Sequence, residues 1–155
     1  MTLSRVRMKD RHWLLALLVG WLLLAGAPKW PHFFPASHWF EVRSIAVSDS
    51  TVGVAPGMSV DRLIHRPFQA DWIATVMRVE AGGGNSALCT ARGGNDYRPT
   101  ASLPANLDLD WWTWPRKCDL PPGEYRLKTL WVLRLPEGAT KEVRVMSDVF
   151  KIKAN

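Results

Sequence analysis

The chain has 155 residues, of which 47% are hydrophobic, and this length and composition are typical of one globular domain with a short appendage. Its formal net charge is +6, but residues 1–27 supply half of that excess, and the later cations are scattered among acids. These properties exclude a disordered chain, a second well-buried core and the basic stripe that follows nucleic-acid phosphates, so we expect no nucleic-acid partner.

The N-terminus has the pattern of an export signal or a signal anchor. Four cations precede an uncharged run of fifteen residues, WLLALLVGWLLLAGA, between Trp13 and Ala27. As a helix this run would reach about 22 Å, short of the roughly 30 Å hydrocarbon layer, and an extension to Phe34 would complete the crossing. We therefore predict a cytoplasmic basic tail over residues 1–12 and a signal-anchor transmembrane segment over 13–34.

The flanking charges predict that the N-terminus stays in the cytoplasm and that the rest of the chain is periplasmic. Ala25 and Ala27 form an A-x-A cleavage pattern, but Pro28 fits poorly in the extended conformation that a protease grips. The pattern therefore favours retention in the inner membrane over cleavage and secretion. A linker over residues 35–40 would then lead to an exported domain over 41–155.

Beyond the linker the dominant period of apolar residues is two, which indicates β-strands. The candidate strands are FEVRSIAV, MSVDRLI, DWIATVMRVEA, SALCTAR, LDLDWWTW, EYRLKTLWVLRLP and TKEVRVMSDVFKIK. The stretches GGGN at 82–85 and RGGN at 92–95 are interpreted as hairpin turns on either side of SALCTA. We predict a mainly β fold, an immunoglobulin-like or fibronectin-like antiparallel sandwich of about seven strands.

Cys89 and Cys118 are the two cysteines of the predicted exported domain. In that compartment a disulfide is favoured over free thiols, and a metal site would need more ligands at short spacing. Closing a loop of about 30 residues would stabilise the fold by roughly 3.6 kcal/mol. We expect a disulfide and no metal.

The stretch LDLDWWTW divides by alternation into two faces. Trp111 continues an apolar face, whereas Asp108, Asp110, Trp112 and Trp114 share the other and are the candidate contacts for a ligand or partner. Exposed indoles stack on sugar faces and carboxylates accept hydroxyl hydrogen bonds, so this face could bind a glycan. Packing of the whole cluster within the fold is the favoured alternative.

The stretch LPPGEYRL carries a resemblance. Gly123 two residues before Tyr125 resembles the entry to a late strand in many immunoglobulin-like domains. The cysteine expected two residues after the tyrosine is replaced by Leu127, which implies that the disulfide is not the usual bridge between sheets. The whole layout, with IHRPF, DYRP and LDWWTWP, also resembles small single-pass membrane proteins of bacteria and phages that carry an exported immunoglobulin-like domain. These belong to no named family and imply a structural or interaction role.

The last two candidate strands, EYRLKTLWVLRLP and TKEVRVMSDVFKIK, are predicted to form a hairpin. In TKEVRVMSDVFKIK, Val143 and Val145 alternate with charged residues until the pattern shifts around Ser147 and Asp148. That shift indicates a β-bulge.

No catalytic set is evident. His65 is the single histidine of the predicted domain, and Asp61 and Ser59 lie nearby without the glycines of a nucleophile elbow, so a turn histidine is the favoured interpretation. Asp108 and Asp110 would lie about 7 Å apart on one strand, where the solvent side of an amphipathic strand is favoured over acid catalysis. We expect no enzyme activity, no catalytic residues and no cofactor.

The expected function is therefore a non-enzymatic, membrane-anchored periplasmic interaction module. Its partners would be the inner membrane and another envelope protein, contacted through an edge strand or a loop. The alternatives are glycan or cell-wall binding through exposed tryptophans, and a phage-type envelope function such as lysis assistance or superinfection exclusion. The sequence names no more specific biochemical activity.

Overall fold

The computed structural model describes residues 8–26, 33–99, 106–108, 118, 120–136 and 138–155. They belong to two compact units, one that ends at Phe34 and one that extends from Pro35 to Asn155.

Helix α1, Met8–Gly26, forms most of the first unit. Its large apolar side chains between Trp13 and Leu24 are each at least 50% exposed. Among the residues described, none of the helices combines the length and the apolar character that a membrane crossing requires. The transmembrane helix predicted over residues 13–34 is therefore not supported.

The second unit is mainly β, as predicted, and its strands form two sheets. The strands are β1 Phe40–Val47, β2 Ser50–Thr51, β3 Gly57–Ile64, β4 Phe68–Val79, β5 Asn85–Tyr97, β6 Asn106–Asp108, β7 Gly123–Arg134, β8 Thr140–Met146 and β9 Phe150–Lys153. A short 3-10 helix, Ala36–His38, precedes β1. The smaller sheet has the order β1-β3-β6, and the larger has the order β2-β9-β7-β4-β5, with β8 also paired to β7.

The two sheets pack face to face in a sandwich-like arrangement. On β7, strict alternation buries every second side chain from Tyr125 to Leu133, because successive residues of a strand point to opposite faces. From the smaller sheet, the ring of Phe40 lies 5.4 Å from that of Trp131 and 5.3 Å from that of Phe68, measured between centroids. This aromatic contact joins the inner faces into one core.

β8 and β9 pair with the same edge of β7, one after the other. Between the pairs Lys128↔Met146 and Tyr125↔Phe150, the three residues 147–149 face two residues of β7. Ser147 bridges the gap, since its N–H donates to Leu127 O at 2.9 Å and its Oγ accepts from Leu127 N–H at 2.9 Å. The predicted change of pattern around Ser147 and Asp148 is confirmed, but it divides the predicted last strand into β8 and β9 instead of leaving one bulged strand.

Two features of the strand prediction, the second turn and the number of strands, differ from the structure. The turn between β4 and β5 is confirmed at GGGN, where Glu80 N–H donates to Gly84 O at 2.9 Å. The stretch RGGN, residues 92–95, is not a turn but lies inside β5 and pairs with β4 throughout. The two-residue strand β2 was not predicted. Of the strand predicted over 107–114, the structure describes only residues 107 and 108, within β6.

Candidate interaction surface

The four residues predicted to contact a ligand are not brought together by the part of the chain that the structure describes. Asp110, Trp112 and Trp114 lie outside the described residues. Asp108 is the last residue of β6, where it pairs with Gly57 of β3. The glycan-binding platform proposed for this stretch therefore has no described geometry.

The predicted disulfide joins Cys89 to Cys118, with 6.2 Å between their Cα atoms. Cys89 lies on β5 opposite Val76, and Cys118 is half-buried against the core. The bridge therefore ties the chain that follows β6 in the smaller sheet back to β5 in the larger sheet. The two cysteines are 29 positions apart, so the bridge closes the loop of about 30 residues that the sequence predicts.

His65 lies at the surface, as the turn interpretation predicted. Its Nε2 is 3.6 Å from Oε2 of Glu41, and both side chains are more than 40% exposed. Asp61 and Ser59, predicted neighbours of His65, are also exposed, on β3. Within the described ranges no cluster of three or more histidine, cysteine or acidic side chains could hold a metal ion.

Two polar side chains, Tyr97 of β5 and Arg62 of β3, lie near each other between the sheets, at one end of the core. Tyr97 is buried, and its ring stacks on that of Phe68 at 4.9 Å. Burial raises the pKa of Tyr97, although hydrogen bonds with Asn95 and Trp131 and the nearby charge of Arg62 act in the opposite direction. Burial also lowers the pKa of Arg62. Packing within the domain explains why Tyr97 and Arg62 are buried together, so we assign them no functional role.

The outer face of the larger sheet is the surface that β4, β5, β7 and β8 turn away from the core. The register places Leu130 of β7 between Arg144 of β8 and Ile73 of β4, and places Arg92 of β5 beyond Ile73. One row across four strands thus has two apolar side chains in the centre and a guanidinium at each end. The other described members of this face that matter below are Asp71, Thr75, Thr90, Arg126, Lys128, Val132, Arg134, Glu142 and Met146.

The centre of the outer face is apolar but only half-buried. Leu130, Val132 and Ile73 each have intermediate exposure, because nothing among the described residues packs above them. In the next row, Thr75 Oγ1 and Thr90 Oγ1 hydrogen-bond across β4 and β5 at 3.1 Å. The face is therefore a flat, partly apolar floor rather than a cavity.

Among the described residues this face carries five arginine and lysine side chains and four acidic ones, which are Asp71, Asp96, Glu124 and Glu142. Arg134 pairs with Asp71, and Arg144 Nη2 lies 2.5 Å from Glu142 Oε2. Exposed pairs of this kind contribute little to stability. The other three cations, Arg92, Arg126 and Lys128, form no ion pair with any residue that the structure describes.

Arg126 is partly buried and contacts Met146 of β8. Its Nη1 lies 3.8 Å from Sδ of Met146, and its Nε is buried with no hydrogen-bond partner in the described part of the chain. A buried donor without an acceptor is unfavourable, so this guanidinium would gain by turning toward an incoming carboxylate.

The alternation of apolar and charged residues in EYRLKTLWVLRLP puts Arg126 and Lys128 on the face of β7 opposite to its buried side chains. Arg92 was missed because it was assigned to a turn. The signal for it was the even spacing of Thr90 and Arg92, which continues the outer face if the strand does not end at the glycines.

No protein-family model matches the chain, and no curated protein matches it either. The resemblance to small membrane proteins of bacteria and phages receives no support from these comparisons. The surface described above is thus the basis for assigning a function.

Proposed function

We propose that the β unit is a non-enzymatic interaction module that contacts a partner protein through the outer face of its larger sheet. One observation carries the proposal: the half-buried apolar centre around Leu130 and Ile73 is flanked by arginines, and three cations of the same face, Arg92, Arg126 and Lys128, form no ion pair with any described residue. Protein interfaces combine an apolar centre with a polar rim and are enriched in arginine. A flat surface of this kind suits a macromolecule better than a small substrate, which needs a concave pocket.

The proposed location is outside the cytoplasmic membrane, with the N-terminal segment as export signal and anchor. The support comes from the basic residues before Trp13, the apolar run that follows, and the disulfide, which is typical of an oxidising compartment. Helix α1 exposes its leucines on all sides, and such a helix needs an apolar environment to cover it. Secretion after cleavage near Ala27 is the alternative, and N-terminal sequencing of the mature protein together with carbonate extraction of membranes distinguishes the two.

An immunoglobulin-like fold is the finer structural proposal. It is supported by the hydroxyl of Tyr125, which donates to Pro121 O four residues upstream at 2.5 Å, as the tyrosine of such domains does. The sheet order β9-β7-β4-β5 is also consistent with the sheet of these domains that carries their late strands. Leu127 occupies the position at which such domains carry the second cysteine of their bridge between the sheets. At that position the two sheets of this protein are held together by packing.

The interaction role is tested by photo-crosslinking in the host cell. A photo-reactive amino acid replaces Thr90 on the outer face of the larger sheet, and in a matched control it replaces Ser59 on the exposed side of the smaller sheet. We expect a discrete adduct with one protein species from position 90 and none from position 59. Correctly exported protein that gives no adduct at position 90 would refute the proposal.

Glycan binding through Trp112 and Trp114 stays a prediction, because no described residue bears on it. Retention on peptidoglycan that is lost in a Trp112→Ala, Trp114→Ala variant would support it. Equal retention of both proteins would count against it.

A further inference from the structure

Three cations that form no ion pair among the described residues, Arg92, Arg126 and Lys128, lie on the same outer face. We infer that they bind an acidic segment of the partner protein, whose carboxylates pair with Arg126, Lys128 and Arg92. This inference rests on the proposed interaction role and specifies the chemistry of the partner.

The spacing of these cations suits a row of carboxylates. Arg126 and Lys128 are two residues apart on β7, which places their Cα atoms about 7 Å apart. Arg92 lies two strands away on β5 in the row of Leu130, about 10 Å across the sheet and about 7 Å further along the strands than Lys128. The hydroxyls of Thr75 and Thr90 lie among the three cations and can also donate to carboxylate oxygens. An extended segment with an acid at every second residue matches the interval between Arg126 and Lys128, since its alternate side chains point the same way at similar intervals, and a further acid of the partner would reach Arg92 across the sheet.

The energetics of the face favour an acidic occupant. Three like charges on one face repel one another, and each carboxylate that arrives removes part of that repulsion. Arg126 also supplies a donor that is unsatisfied in the unbound state. A charge-assisted, two-pronged hydrogen bond to a carboxylate is among the stronger contacts that this guanidinium can form.

Other occupants fit the same face less well. Asp71 and Glu142 lie on it beside the cations and would repel the continuous phosphates of a nucleic acid. A second copy of the chain, placed by a twofold axis that passes through the three cations, would bring the same cations against one another. The apolar side chains of the centre are half-buried in the sheet and do not project far enough to enter a lipid layer.

The inference is tested with the full chain in an uncharged detergent. The probe is a fluorescent peptide that alternates glutamate with valine, and the matched probe has glutamine for each glutamate. We expect the glutamate peptide alone to bind, with affinity that falls as salt rises. The variant Arg126→Glu, Lys128→Glu should weaken binding by about tenfold, whereas Arg66→Glu, an exposed reversal in the turn before β4, should change it by less than about twofold.

Two results would overturn the inference. One is equal binding of both peptides, or glutamate-peptide binding that survives the double reversal. The other is stronger binding of single-stranded DNA or of phosphatidylglycerol vesicles, which would assign the face to a different class of partner. If the crosslink from position 90 persists in the double-reversal variant, the interaction role stands and the acidic partner fails. If that crosslink never forms, the interaction role itself fails.

Discussion

The indole of Trp72 lies directly over Gly93, its partner in the register of β4 and β5. A Cβ placed on Gly93 would fall 2.7 Å from Cε2 and 3.1 Å from Nε1 of the indole, inside van der Waals contact. Gly93 is therefore needed for the space that it leaves, because a ring from the neighbouring strand occupies it.

The variant Gly93→Ala should be destabilised by about 1 to 3 kcal/mol, since the added methyl group forces the indole of Trp72 out of place. Urea unfolding followed by tryptophan fluorescence measures the loss. The matched control is Gly84→Ala in the turn, where an added Cβ meets nothing within 4 Å. Equal unfolding midpoints for the two variants would contradict the role given to Trp72.

Loss of the Cys89–Cys118 disulfide should reduce the free energy of unfolding by about 3.6 kcal/mol, because the unfolded chain regains the entropy of an open loop. The variant Cys89→Ser, Cys118→Ser is compared with the parent by urea unfolding, with and without reductant. Reductant should lower the parent to the level of the variant and leave the variant unchanged. A parent midpoint that does not respond to full reduction would contradict this expectation.

Stability should decline in alkaline solution. Burial raises the pKa of Tyr97 and of Tyr125 above the ordinary value of 10.0, so the unfolded chain loses these protons first. The free energy of unfolding is then unaffected below about pH 10 and falls as the pH rises further. Urea midpoints measured from pH 8 upward should show a shallower decline when both tyrosines are replaced by phenylalanine.

Lys151 is the control for this pH dependence. Its hydrogen bond and charge interaction with Glu124 raise its pKa, so its deprotonation weakens the fold in the same direction. The variant Lys151→Arg keeps the charge across the whole range and isolates the tyrosine contribution. A decline that disappears in Lys151→Arg and persists in the phenylalanine variant would assign the effect to the lysine instead.

Asp49 should hold β2 against β9. Its Oδ1 accepts from Lys151 N–H at 2.8 Å, and its Oδ2 is 3.6 Å from Nζ of Lys153. Asp49→Ala should lower the free energy of unfolding by about 1 kcal/mol and accelerate amide exchange at Lys151. Asp49→Asn retains an acceptor, so its stability and exchange rate should lie between those of the parent protein and of Asp49→Ala. Exchange is followed by NMR, and an unchanged rate at Lys151 in Asp49→Ala would argue against this anchoring role.

Local patterns predicted those strands whose bounds are determined by their own residues. FEVRSIAV coincides with β1, although its apolar alternation shifts by one residue after Val42, where the pairing with β3 is irregular. The two faces of β7 also follow from alternation alone, since its buried side chains, such as Tyr125 and Leu127, alternate in the sequence with charged ones. Such assignments need no knowledge of the neighbouring strand.

Features that depend on distant pairing were missed. The two glycines of RGGN signal a turn locally, yet Trp72 on the adjacent strand covers Gly93 and allows β5 to continue. β2 is two residues long and exists because Ser50 pairs with Ile152, about a hundred positions later. The outer face has the same origin, because its row of Leu130, Ile73 and the flanking arginines is created by register between strands.

β9 occupies a position inside the larger sheet, between β2 and β7, and buries Phe150 and Ile152. A growing chain that has not yet produced these residues can neither close this part of the sheet nor give β2 a strand to pair with. The β unit must therefore complete its folding after residues 150–153 have emerged from the ribosome and, if it is exported, from the translocation channel. Deleting those residues would remove a structural strand rather than a loose tail.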